Sequence, residues 1–199
     1  MKNQASKNDE NFNTKAKILD IAIELFAEKS YHQVTVRDIK NQVGISTGGL
    51  FYYFDSKLEI AKESLFQWMK NAYNPLYRSI DENSNPKKNL EELINFSIDL
   101  FMKRPKIMRF FLELYEVEVQ NKNKSPKMLQ IFNEFIAFIK NLMESYKIPN
   151  PKYKAHLLVA CLDGLMFQYI FSKYTKVWLE KDILKQEMFE LFIKNLKTK

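Results

Sequence analysis

Apolar side chains recur at the spacing of an α-helix along almost the whole chain. The pattern runs from residue 15 to residue 196, as in Ile18, Ala22, Leu25 and Phe26, and signals for β-strands are nearly absent. A chain of 199 residues that is 46% hydrophobic can also bury a sizeable core. The sequence therefore predicts an all-α fold with nine helices, near residues 14–30, 35–43, 46–53, 56–82, 87–103, 105–121, 125–147, 151–174 and 180–197.

Prolines mark several of the predicted helix boundaries. Four of them follow a side chain that can cap a helix, and proline itself suits the first helical position. The four pairs are Asn74-Pro75, Asn85-Pro86, Ser125-Pro126 and Asn150-Pro151. Most of these pairs should start helices. Pro75 instead falls inside the fourth predicted helix, which it should kink or split in two.

Glycine is scarce, and its distribution singles out one segment. The chain has four glycines, of which Gly44, Gly48 and Gly49 fall within six residues, in the string VGISTGGLFYYFDSK. Glycine lets a backbone turn tightly or approach another molecule closely. We therefore expect the function to lie in this string.

The residues around Gly44 predict a short helix, a tight turn and a second short helix. Thr35 and Asp38 have the spacing of a capping box at the start of the first helix. Gly44 can end that helix in the left-handed conformation, and Ser46 can cap the next one. In a helix-turn-helix the second helix enters the major groove of DNA, where Gly48 and the glycine after it would allow close approach.

Polar side chains follow this second helix. Tyr52 and Tyr53 carry hydroxyl donors for phosphate oxygens. Lys57 lies in the first turn of the fourth helix, behind Ser56, whose spacing from Glu59 suggests a second capping box. Each of these features taken alone is common in helical proteins.

Their order and spacing are more specific. A helix over about residues 15–29 is followed by Tyr31, Thr35, Arg37, Asp38, Ile39, Val43, Gly44, Ile45, Ser46, Gly48, Leu50, Phe51, Phe54, Ser56 and Lys57. This series closely resembles the DNA-binding domain of the TetR family of transcriptional repressors. The resemblance covers roughly residues 14–60, and the later helices agree only in number and length. It implies a disordered tail over residues 1–12, a helix-turn-helix domain over 13–57 and a ligand-binding and dimerisation domain over 58–199.

The resemblance also implies a set of DNA contacts. These candidates are Thr35, Arg37, Ser46, Thr47, Gly48, Gly49, Tyr52, Tyr53 and Lys57. Thr35, Tyr52 and Lys57 correspond to contacts with the DNA backbone, whereas Arg37 and Thr47, with the two glycines, lie where family members approach base edges.

Three residues depart from the family pattern. Ser30 stands where glycine is frequent, Lys40 where alanine is usual and Phe51 where tyrosine is common. Phe51 lacks the phosphate-bonding hydroxyl of tyrosine, and we expect it in the core with its neighbour Leu50. Lys40 could supply a compensating cationic contact or be a solvated surface residue.

A helix-turn-helix protein of this kind is expected to bind palindromic DNA as a dimer. Ala160 and Gly164 are small residues four apart on the eighth helix, where a second helix could pack closely. Phe189 and Phe192 on the last helix could extend the interface. The alternative is that Gly164 accommodates a bulky neighbour within one subunit.

The part of the chain after residue 58 is rich in aromatic residues and methionine, which can line a pocket for a small hydrophobic or aromatic effector. The candidates are Phe66, Met69, Tyr73, Phe101, Met108, Phe111, Tyr115, Phe135, Met166 and Tyr169. Plain core packing is the alternative for each of them. Glu113 and Glu116 would favour a cationic ligand if they faced inward, and otherwise they are solvated.

The charge of the chain and its sequence motifs bear on whether it binds nucleic acid or is an enzyme. The net charge is +7, but residues 1–60 hold eight basic and eight acidic side chains, so bulk charge alone does not establish a nucleic-acid partner. His32 and His156 are the two histidines, and neither lies in a metal-binding or nucleophile motif. We therefore expect no enzyme, catalytic residue, metal site or cofactor.

The sequence also bears on location. The longest apolar stretch, residues 157–171, is interrupted by Asp163 and Gln168, and we expect no membrane span. A single cysteine, Cys161, suits the cytoplasm.

The predicted function is a ligand-responsive repressor that is released from its operator by an effector. The alternative is a helical effector-binding or adaptor protein without sequence-specific DNA binding.

Overall fold

The structure, a computed structural model, describes residues 2–80, 85–120, 126–175 and 179–194. Within these ranges the regular structure is entirely helical, which confirms the all-α fold. The nine α-helices are α1 (Lys2–Lys29), α2 (Val36–Val43), α3 (Thr47–Phe51), α4 (Lys57–Ser79), α5 (Pro86–Lys103), α6 (Pro105–Gln120), α7 (Pro126–Ser145), α8 (Pro151–Thr175) and α9 (Lys181–Phe189). A π-helical turn, Glu190–Lys194, continues α9.

Three of the predicted proline starts are confirmed. Helices α5, α7 and α8 begin at Pro86, Pro126 and Pro151. The Asn85 side chain caps α5 by accepting a hydrogen bond of 3.0 Å from the amide of Lys87. Pro75, by contrast, lies within a single helix α4, so the predicted split is wrong. Proline lacks the backbone N–H that would donate a hydrogen bond within the helix. Leu65 before Pro75 and Leu76 after it are both buried, and this packing offsets the lost hydrogen bond.

Other helix boundaries differ from prediction at the ends. Helix α1 starts at Lys2, so the backbone is helical over residues 2–12, where a disordered tail was expected. A helix that is nucleated by packed turns can extend into a polar segment at little cost. Helix α3 is shorter than predicted, because a turn at residues 52 and 53 ends it.

The chain divides into two compact units, and the division differs from the predicted boundary at residue 57. The first unit comprises Met1–Lys70 and Arg109–Met128. The rings of Phe26 in α1 and Phe110 in α6 are buried and stack at 5.1 Å between centroids. Most of α6 and the first turns of α4 therefore share a core with α1, α2 and α3.

The second unit comprises Asn71–Met108 and Leu129–Lys199. Its buried apolar residues include Leu93, Ile98 and Ile139. The carboxylate of Asp99 in α5 forms ion pairs with two lysines of α9, Lys185 at 2.8 Å and Lys181 at 3.3 Å. These ion pairs tie α9 to α5.

Candidate nucleic-acid interface

The caps predicted around α2 are confirmed. The hydroxyl of Thr35 accepts a hydrogen bond from the amide of Asp38 (3.1 Å), and the Asp38 carboxylate accepts one from the amide of Thr35 (2.8 Å). The hydrogen bonds from the hydroxyl and the amide of Thr35 hold the pKa of Asp38 below its usual value. Gly44 ends α2 in the left-handed conformation, with φ of 84°. The sequence thus fixes both ends of α2.

The turn into α3 is also confirmed. The Ser46 side chain caps α3 by accepting a hydrogen bond of 2.9 Å from the amide of Gly49. A methyl group added at Gly49 would lie 3.3 Å from that Ser46 oxygen, whereas one added at Gly48 would lie 3.9 Å from it. Packing within the chain therefore leaves room for a side chain at Gly48.

The outward face of α3 carries both polar and aromatic groups. Thr47 and Gly48 are exposed, and Leu50 is buried. Phe51 is 45% exposed and Tyr52 is 72% exposed. The prediction that Phe51 lies in the core is wrong, because a helix that points Leu50 inward turns the next residue about 100° away.

Lys57 is engaged inside the first unit. Its ammonium donates hydrogen bonds to the backbone carbonyls of Tyr31 (2.9 Å) and Val34 (3.0 Å) and lies 4.2 Å from the centroid of the Tyr31 ring. Burial lowers the pKa of Lys57, and the nearby carboxylate of Glu113 opposes that shift. Two of the three N–H donors thus hold the loop before α2. The second predicted capping box is altered as well, since Glu59 accepts from the amide of Asp55 rather than that of Ser56.

Two residues of α6 hold the end of α1 and the loop before α2, and sequence reasoning did not assign them this role. The Arg109 guanidinium donates to the carbonyl of Ala27 (2.9 Å), and the Glu113 carboxylate accepts from the amide of Tyr31 (3.0 Å). Between these contacts Ser30 adopts φ of 88°, a conformation that favours glycine. We call Arg109, Glu113 and their two backbone partners the α6 clasp. Glu113 is therefore neither an unpartnered solvated residue nor a group free to face a ligand.

The ten candidate effector contacts fall in both compact units. Phe66, Met69, Phe111 and Tyr115 belong to the first unit, and the other six belong to the second. In the second unit the structure brings together Tyr73 and Phe135, with ring centroids 4.9 Å apart, and Phe101 and Tyr169, at 6.2 Å. Met108 is buried and Met166 is partly buried.

Tyr73 is the centre of the larger aromatic group. Its ring also lies 5.5 Å from that of Phe96 and 6.1 Å from that of Tyr77. Burial, and then the neighbouring Tyr77 and Asp163, raise the pKa of Tyr73 far above its ordinary value. A tyrosine with its ordinary pKa is already protonated at neutral pH, and the raised pKa of Tyr73 keeps its phenol a hydrogen-bond donor at more alkaline pH as well.

The outer face of α8 is apolar and uncovered. Tyr153, Leu157, Phe167 and Phe171 are exposed at helical spacing, and Ala160 lies among them. Among the residues that the structure describes, none comes within 4 Å of a methyl group added at Gly164, which does not favour the alternative of a bulky neighbour in the same subunit. We call these six residues the α8 face. In α9, Ile183 is exposed and Phe189 is partly buried, and Phe192 in the π-helical turn that follows is also partly buried.

Helix α8 is the one candidate for a membrane span among the residues that the structure describes. Pro151–Ser172 of α8 is long and apolar enough to cross a membrane by length and composition alone, and 28% of that window is buried. The same helix would serve equally to pack against a partner protein. No group of three or more His, Cys, Asp or Glu side chains is placed to hold a metal ion in the ranges that the structure describes.

Known proteins resemble this chain in sequence and in fold. Residues 18–64 match the family described as bacterial regulatory proteins, tetR family. The chain is 28% identical over 182 residues to IcaR of Staphylococcus aureus, the biofilm operon icaADBC HTH-type negative transcriptional regulator, covering 89% of this chain and 96% of that protein.

Two solved structures share the fold. They are FadR of Bacillus halodurans, a fatty acid degradation regulator (TM-score 0.72, 18% identity, 93% of this chain and 97% of that chain), and FadR of Bacillus subtilis, a transcriptional regulator in complex with stearoyl-CoA (TM-score 0.66, 18% identity, 91% and 98%). With the capped α2 and α3, the match over residues 18–64 shows that this part of the chain is a helix-turn-helix domain of the tetR family of bacterial regulatory proteins.

Proposed function

We propose that this protein is a repressor that binds a palindromic operator as a homodimer through α3 and is released by a small hydrophobic effector. The observation that carries the proposal is the outward face of α3, where Thr47 and Gly48 are exposed on a helix that Ser46 caps, with Tyr52 exposed in the turn that follows. IcaR, which is similar over most of its length, is named a negative regulator, and this supports repression. Because DNA is the partner, we expect the protein in the bacterial cytoplasm.

The proposed DNA contacts divide by chemistry. Thr35 and Tyr52, with Tyr53, would bond phosphate oxygens and set the register of the protein on the duplex. Arg37 on α2 and Thr47 on α3 are exposed and would reach base edges, with the open space at Gly48 letting the backbone come close. Of the remaining candidates, Ser46 and Gly49 mainly hold α3 in place through their hydrogen bond, and Lys57 mainly holds the loop before α2.

The proposed dimer forms through the α8 face, and Phe189 of α9 and Phe192 of the π-helical turn would extend it. A second copy would bury exposed apolar side chains such as Leu157, and the small Ala160 and Gly164 would let two helices approach closely. Two recognition helices related by a two-fold axis then match a palindrome. The α8 face would therefore support DNA binding by pairing two copies of α3.

The proposed response to an effector uses helices that belong to both units. Helix α4 contributes residues to the first unit up to Lys70 and to the second from Asn71, and α6 changes unit between Met108 and Arg109. An effector held in the second unit, where Tyr73 and Phe135 meet, would act on the α6 clasp and on Lys57 through these helices. A coupling of about 1–3 kcal/mol would suffice. The stearoyl-CoA complex of the Bacillus subtilis FadR supports a hydrophobic effector.

Binding to DNA is tested with the purified protein and duplexes selected from a random-sequence library. Tyr52→Phe removes a single exposed hydroxyl and should weaken binding to every selected duplex roughly tenfold, since a bond to a charged phosphate is lost. Tyr115→Phe is the matched control, because it removes an exposed hydroxyl on α6, outside the proposed DNA contacts and the α8 face, and it should bind like the wild type. If no sequence is enriched, or if both variants behave alike, the adaptor alternative is favoured.

A further inference from the structure

Phe51 is the residue on α3 that the proposed contacts leave unexplained. It is 45% exposed, although phenylalanine is usually buried, and it follows the buried Leu50. It lies one helical turn after Thr47, which is also exposed, so the two side chains share the outward face of α3. Gly48, which lies beside them, has no side chain that could cover the phenyl ring.

The chemistry of the phenyl ring restricts what it can contact in DNA. It has no hydrogen-bonding group, so it can neither bond a phosphate oxygen nor pair with the donors and acceptors of base edges. The apolar feature that base edges offer in the major groove is the C5-methyl group of thymine. Because Phe51 lies on the face of the helix that enters this groove, we propose that Phe51 reads a thymine methyl group in each half-site.

This inference rests on the proposed DNA-binding function and adds a specific base to it. The test uses the selected duplex, in which each thymine is replaced in turn by deoxyuridine, a change that removes only the methyl group. The wild type should lose about fourfold in affinity when one thymine of a half-site is replaced, and about sixteenfold when its symmetry mate is replaced too. Loss at no thymine, or a half-site without thymine, would overturn the proposal.

A double-mutant cycle attributes the effect to Phe51. Phe51→Ala should bind the thymine duplex more weakly and should lose nothing further at the deoxyuridine position that affects the wild type. Phe51→Leu keeps an apolar side chain and should retain part of the discrimination. If Phe51→Ala loses as much as the wild type at that position, another residue reads the methyl group. The wild-type selection is scored separately, so a failure to enrich any site counts against the proposed function.

Discussion

Two residues of the first unit share a left-handed backbone conformation but differ in side chain. Gly44 has φ of 84° and Ser30 has φ of 88°. The conformation is nearly free for glycine, but it places the Cβ atom of other residues too close to a carbonyl oxygen. The chain has thus used glycine at one of these turns and tolerates strain at the other.

Opposite substitutions at these two turns should therefore shift stability in opposite directions. Gly44→Ala should lower the free energy of unfolding by roughly 1–2 kcal/mol, and Ser30→Gly should raise it by about 0.5–1 kcal/mol. Urea denaturation followed by circular dichroism measures both changes. A Ser30→Gly protein no more stable than the wild type would mean that the serine hydroxyl offsets the strain.

Gly48 provides a different residue-scale prediction, because its role is proposed to be contact with DNA. Gly48→Ala should leave the free energy of unfolding unchanged or raise it by up to about 1 kcal/mol, since alanine favours helix and meets no close neighbour. The same change should weaken binding to the selected duplex at least tenfold. Equal DNA affinity of the variant and the wild type would show that the backbone does not approach DNA there.

At the scale of elements, the α6 clasp is the contact with the clearest consequence. Glu113→Ala leaves the Tyr31 amide without its partner and should destabilise the first unit by about 1–3 kcal/mol. Glu116→Ala on the same helix is the matched control, because Glu116 is exposed and bonds Gln120 within its own helix. Denaturation of both variants gives the comparison, and equal losses would contradict the role assigned to Glu113.

The helix caps could be predicted from the sequence, whereas the α6 clasp could not. The Thr35 box, the turn at Gly44 and the Ser46 cap join residues a few positions apart, so their residue types and spacing sufficed. The clasp joins residues 82 positions apart, and no local pattern marks it. The exposure of Phe51 was missed for a related reason, since periodicity over a five-residue helix is too short to separate its faces.

At the scale of the whole molecule, the α8 face is expected to join two copies. Leu157→Glu places a charge in this apolar surface without disturbing the protomer, because Leu157 is 61% exposed. The variant should sediment as a monomer and should lose most of its affinity for a palindromic duplex. Lys103→Glu, an exposed position at the end of α5, should remain dimeric. A Leu157→Glu protein that stays dimeric would place the interface elsewhere.

The most direct test of the whole account compares two duplexes in one titration with wild-type protein. The first duplex carries the selected palindrome and the second carries the same sequence with one half-site scrambled. Two protomers should bind the intact palindrome with an affinity that falls steeply with salt, and scrambling should reduce that affinity by at least a hundredfold. Equal affinity for the two duplexes, or one protomer bound per intact palindrome, would contradict the claim that α3 is presented twice to one operator.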